Sequence, residues 1–68
     1  MKLKINVNGS IKEVDKDKDL EEVVRSLVKK DQGLIVEVNK KIIPRNQWKG
    51  HSLHEGDMIE LINFVGGG

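Results

Sequence analysis

Sixty-eight residues make one small domain, expected to bury only about 60% of the surface its unfolded chain exposes, so a catalytic cavity would compete with a thin core for residues. Twelve basic residues against eleven acidic ones leave a net charge of +1, which excludes the large single-sign field that grips nucleic acid or an anionic membrane. Cysteine is absent, excluding disulfides, thiolate metal sites and any persulfide or thioester on a side chain, while 37% hydrophobic residues in regular patterns argue against disorder.

Residues 2–8 alternate strictly, with Leu3, Ile5 and Val7 on one face and Lys2, Lys4, Asn6 and Asn8 on the other, the period of a half-buried strand. Asn8-Gly9 supplies a hairpin turn. In the return strand, residues 11–14, Ile11 and Val14 have opposite parity and cannot share a face without a bulge, so Ile11 is expected to be the exposed one. The Lys16-Asp17-Lys18-Asp19 run reads as a solvated connection.

Leu20, Val23, Val24, Leu27 and Val28 then form a stripe of helical period over a segment of roughly three turns. Asp19 is the natural N-cap, with Glu22 completing a capping box. The acidic start and a basic end at Lys29 and Lys30 suit the helix dipole, and Gly33 is expected to end the helix. Residues 34–39 read as a strand with Leu34, Val36 and Val38 inward and Ile35 and Glu37 outward. Asn39-Lys40-Lys41 turns, Ile42-Ile43 makes a short stub, and Pro44 stops it. Trp48 is expected to plug the end of the core, and His54-Glu55-Gly56-Asp57 to turn. The final strand spans residues 58–65, with Ile59 and Leu61 one way and Met58, Glu60, Ile62 and Phe64 the other.

The order strand, strand, helix, strand, short strand, strand predicts an α+β fold, a mixed four- to five-stranded sheet with one helix on one face. That is the β-grasp, or ubiquitin-like, arrangement. Residues 1–65 make the domain and residues 66–68 a flexible glycine tail. Three residues without Cβ atoms form a thread at most about 10 Å long, able to enter a narrow active site where any side chain would clash. The chemical group of interest is then the Gly68 carboxylate, offered to another protein. Outward-facing Ile35, Ile62 and Phe64 stand where an antiparallel or mixed sheet normally shows polar residues, which makes them a candidate docking patch. No apolar run approaches the roughly 18 residues of a membrane span, and Met1-Lys2-Leu3-Lys4 lacks the apolar stretch of a signal peptide, so a soluble, cytoplasmic protein is expected.

Ile43-Pro44-Arg45-Asn46-Gln47-Trp48, then Gly56-Asp57, then Phe64-Val65-Gly66-Gly67-Gly68, with the Val38-Asn39 strand end before them, resemble the ThiS family, the sulfur carriers of thiamin thiazole biosynthesis. The resemblance covers essentially the whole chain, and its most specific piece is the Pro-Arg-x-Gln-Trp run. Gly66 departs from it slightly, standing where other members carry a different small residue. The resemblance implies a protein substrate rather than an enzyme. Its C-terminal carboxylate, on Gly68 next to Gly67, is adenylated by a ThiF-type enzyme that uses ATP and magnesium. A persulfide derived from a cysteine desulfurase converts it to a thiocarboxylate, and thiazole synthase (ThiG) draws on that sulfur; no cofactor is bound by the carrier itself.

Other readings share the tail or the fold: a carrier like the molybdopterin-synthase small subunit (MoaD), a ubiquitin-like protein modifier, or a ubiquitin-like binding module whose tail is inert. An RNA-associated β-grasp domain is disfavoured by the balanced charge and by only two aromatic residues, not arranged as a stacking pair. No nucleophile and base, phosphate-cradling loop or metal cluster appears at a useful spacing. His51 and His54 lie in a loop without cysteine and are read as solvated. Arg45, beside Trp48, is a possible partner contact, with local packing as the alternative.

Overall fold

A computed structural model describes residues 1–63; the expected continuation of the last strand through Val65 and the glycine tail lie outside the described residues. Five strands and one helix follow in the order β1 (Lys2–Val7), β2 (Ser10–Asp15), α1 (Leu20–Leu27), β3 (Leu34–Val38), β4 (Lys41–Ile42) and β5 (Met58–Asn63), with a 3₁₀ turn at Arg45–Gln47. The strands form one sheet in the order β2-β1-β5-β3-β4, with β5 parallel to β1 and every other pair antiparallel. This is the expected β-grasp, with β5 central.

The β1–β2 hairpin pairs residue for residue from Lys2 opposite Asp15 to Val7 opposite Ser10. No bulge is needed, because Val14 turns toward the helix and Ile11 faces outward, 66% exposed. Asn8 and Gly9 have φ of 50° and 89°, the left-handed pair that a two-residue turn between twisted strands requires. Asn39 and Lys40, at 53° and 71°, repeat the device between β3 and β4.

Helix α1 begins as expected: Asp19 Oδ1 accepts the Glu22 N–H at 2.9 Å and Glu22 Oε1 accepts the Asp19 N–H at 3.0 Å. Its end differs. Val28 leaves the helix in an extended conformation (φ −128°, ψ 140°), so Lys29 and Lys30 lie beyond it and Arg25 is the basic residue of the last turn. The stripe has no apolar residue after Val28 to bury on a further turn, and a β-branched valine gives up little helical stability by extending. Gly33 (φ 74°) serves a tight turn in which the Leu34 N–H donates to Asp31 O at 3.1 Å, rather than capping the helix. The short stub is also displaced by one residue, to Lys41–Ile42, because the two-residue Asn39-Lys40 turn places Lys41 opposite Val38.

Leu20, Val23 and Val24 of α1 meet Leu3, Ile5, Val7, Val36, Val38 and Ile59 from one sheet face. Trp48, 1% exposed, closes one end of this core, and its Nε1 donates to Ile43 O at 2.8 Å, so the ring is buried without stranding its polar atom. Each such side chain contributes about 1.5–3 kcal/mol on burial, which is how so small a domain holds one arrangement.

Candidate functional site: the outer sheet face and the root of the tail

Strand alternation, with the helix covering one face, sends Lys2, Lys4, Asn6, Ile11, Ile35, Glu37, Ile42, Met58, Glu60 and Ile62 to the other. Ile35 sits directly opposite Ile62 across β3 and β5, and both are half-buried. The expected docking pair is thus brought together; Phe64, the third member, lies outside the described residues, as do Gly66, Gly67 and Gly68.

Besides Ile11 at the edge strand β2, two further apolar residues stand on this face. Met58 is 50% exposed and Ile42 is 61% exposed, the latter opposite Glu37. Neither was included in the sequence-based patch, although Met58 shares the parity of Ile62 on the same strand. Ile42 could be placed only by following the register of the Asn39-Lys40 turn. Between them Glu37 faces Glu60. Hydrogen bonding of the protonated Glu37 carboxyl to the Glu60 carboxylate, then loss of solvent, then the Glu60 charge hold the Glu37 carboxyl above its ordinary range. Among the described residues neither glutamate is in an ion pair, so the face carries an uncompensated acidic pair amid apolar side chains.

The root of the tail is held from both sides. Leu34 pairs with Asn63 on the β3 side. On the other side β1 ends at Val7, and the Asn8 side chain takes over from its backbone, with Oδ1 accepting the Leu61 N–H at 2.9 Å. Asn39 does the same at the start of β5, its Oδ1 accepting the Met58 N–H at 3.0 Å. Both asparagines sit in left-handed turn positions, which aim their amides across the turn at β5.

Arg45 is engaged within the domain. Its guanidinium lies 5.0 Å from the centre of the Trp48 ring, and Nη2 is 2.8 Å from Asp31 Oδ2, which Arg25 also approaches at 3.7 Å. His51 offers its carbonyl to the Leu20 N–H at 2.9 Å, while His54 projects outward with Asp57 at 3.9 Å. No three His, Asp or Glu side chains among the described residues are grouped to hold a metal ion. No helix among the described residues is long and apolar enough to cross a membrane.

The family model for ThiS matches residues 5–68, from the first strand through the glycine tail. The chain belongs to the ThiS family. The sulfur carrier protein ThiS of Escherichia coli is 34% identical over 47 residues, which cover 69% of this chain and 71% of that protein. The crystal structure of the thiamine biosynthesis protein ThiS of Geobacter metallireducens superposes with a TM-score of 0.82 at 28% identity, covering 97% of this chain and all of that one. A thiazole synthase of Magnetococcus marinus is 32% identical over 66 residues, 97% of this chain but only 20% of that protein.

Proposed function

We propose that this ThiS-family chain is a sulfur carrier for thiazole formation in thiamin biosynthesis, a protein substrate whose reactive group is the Gly68 carboxylate. The observation that carries this reading is the family match running to residue 68, supported by a relative named as a sulfur carrier protein. The match of nearly the whole chain to one fifth of a thiazole synthase supports thiazole synthase, rather than molybdopterin synthase, as the acceptor.

The chemistry follows from the carboxylate. With an α-carboxyl pKa of about 3.3–3.7 it is ionised at neutral pH, and sulfur cannot displace its oxygen directly. A ThiF-type partner transfers AMP from ATP, with magnesium, to the carboxylate and releases pyrophosphate. The outer sulfur of a desulfurase-derived persulfide attacks the carbonyl carbon and AMP leaves. A thiol then breaks the sulfur–sulfur bond, becoming a disulfide, and the carrier is left with a thiocarboxylate. The chain has no cysteine, so the sulfur has one attachment point. Ile35, Ile62 and Phe64, extended by Met58 and Ile42, form the surface by which the activating enzyme and the synthase grip the domain while Gly66 and Gly67 thread the partner's site.

Intact-mass spectrometry after incubation with the activating enzyme, ATP and a sulfur donor tests this. A mass gain matching one oxygen replaced by sulfur, mapped to Gly68 and lost when Gly68 is deleted, is expected. An unchanged mass overturns the carrier reading in favour of an inert tail. Mixing the loaded protein with thiazole synthase and, separately, with the molybdopterin synthase large subunit distinguishes the two acceptors.

A further inference from the structure

Glu37 and Glu60 lie directly opposite across β3 and β5, within the apolar part of the outer sheet face. Met58 and Ile62 stand two residues to either side of Glu60 on β5, Ile35 stands two residues before Glu37 on β3, and Ile42 faces Glu37 from β4. Side chains opposite one another on neighbouring strands have Cβ atoms about 4.5–5.5 Å apart, so the two carboxyls share one small area. The outward lysines of β1 do not serve them: Lys2 is paired with Asp15 at 2.9 Å, and Lys4 stands opposite Glu13.

This arrangement restricts what can cover the patch. Apolar side chains alone would strand two carboxyls away from water. A second copy of this chain, laid on the patch about a two-fold axis, would bring the same two carboxyls against them. The complementary surface is therefore an apolar one with a positive charge at its centre.

We propose that thiazole synthase covers this patch, seating an arginine between the Glu37 and Glu60 carboxyls and apolar side chains of its own over Ile35, Ile42, Met58 and Ile62. The inference rests on the reading of this face as the partner surface. Arginine suits the place better than lysine, because its planar fork of five N–H donors can serve two carboxyls at once and it gives up water more readily. The likeness of nearly the whole chain to one fifth of a thiazole synthase argues for the synthase as the occupant. In the free protein the crowding of the two carboxyls holds Glu37 above its ordinary range, and a guanidinium between them would favour the ionised form of both. The apolar residues then supply contact area, while the carboxyl pair turns away surfaces that bring no cation.

Titration calorimetry with thiazole synthase tests this. The Glu37→Gln, Glu60→Gln double variant is expected to bind at least about tenfold more weakly than the natural chain, yet to melt no lower, because the like-charge pair is gone. Glu60→Gln should weaken binding more than Asp17→Asn, an equal change of net charge at an exposed residue of the connection before α1. Equal affinities of the double variant and the natural chain, or a loss as large in Asp17→Asn as in Glu60→Gln, overturn the inference. Treating the synthase with phenylglyoxal, which modifies guanidinium groups, should abolish the difference between the natural chain and the double variant; a difference that survives overturns the arginine. A natural chain that takes up sulfur but does not bind the synthase overturns the inference and leaves the carrier reading standing. A chain that binds through the carboxyl pair but takes up no sulfur supports the inference and overturns the carrier reading instead.

Discussion

The side-chain amide of Asn8 holds the backbone of Leu61 in both directions, Oδ1 accepting its N–H at 2.9 Å and Nδ2 donating to its carbonyl at 3.5 Å. Together with the Asn8 N–H, which donates to Ile59 O at 3.0 Å, this carries the β1–β5 ladder past the point where β1 turns away. Asn8→Gly keeps the left-handed backbone at no strain but removes both side-chain bonds. A loss of about 1 kcal/mol in chemical denaturation is expected, with faster hydrogen exchange at the Leu61 amide. Asn8→Asp retains the acceptor for that amide and should protect it. Equal exchange in all three chains would show that the asparagine does not hold the strand.

Trp48 is the largest fully buried side chain, and the carbonyl of Ile43 depends on its Nε1. Trp48→Phe leaves that carbonyl without its donor and is expected to cost at least about 1–3 kcal/mol of unfolding free energy. Arg45→Lys keeps the charge near Asp31 but loses the planar group over the ring. That loss is expected to be no more than about 1 kcal/mol, because the guanidinium is half exposed and the pair is screened. A larger effect for Arg45→Lys than for Trp48→Phe in the same denaturation series would reverse this ranking of the two residues.

Asp19 joins distant segments as well as capping α1. Its Oδ2 accepts the Gly50 N–H at 2.8 Å and its Oδ1 accepts the Glu22 N–H. These bonds hold the carboxyl below its ordinary range, with the Gly50 bond contributing most. A carboxyl with a depressed folded-state pKa stabilises the fold above its unfolded pKa, and that stability is lost as pH falls through the folded value. The acid side of the melting-temperature profile, below about pH 4, should therefore flatten in Asp19→Asn relative to the natural chain. Parallel profiles would remove Asp19 from the acid transition.

Strand faces, the first turn and the helix start were legible in the sequence, because each depends on neighbours within about four residues: the alternation around Ile5, Asn8-Gly9, the Asp19–Glu22 box. The helix end was not. Val28 fits the apolar stripe whether helical or extended, and only the path to β3 decides between them. The make-up of the outer sheet face was half legible for a similar reason. Ile35 and Ile62 follow from parity, but the nearness of Ile42 and of the Glu37–Glu60 pair depends on register between strands far apart in the chain. The tie from Asp31 to Arg45 likewise arises only when loops pack, which no local period encodes.

The outer face yields the sharpest test of the proposed partner surface. Glu37 and Glu60 lie directly opposite, a like-charge pairing that destabilises a sheet, and Glu60 raises the carboxyl of Glu37 chiefly by hydrogen bonding. A raised carboxyl stabilises the fold where it is protonated, fully below its unfolded pKa, and that contribution is lost as pH rises through the folded value. Glu60→Gln removes the charge while keeping a group able to hydrogen-bond. It is expected to return the Glu37 titration, followed by carboxyl carbon NMR, toward the ordinary glutamate range and to raise stability at pH 7. Ile62→Ser with Met58→Ser, on the same strand and face, should instead weaken adenylation by about tenfold or more while leaving the domain folded, as expected for residues near the centre of a desolvated contact. Adenylation kinetics unchanged in the serine variant, with the fold verified by NMR, would move the partner's grip to another surface.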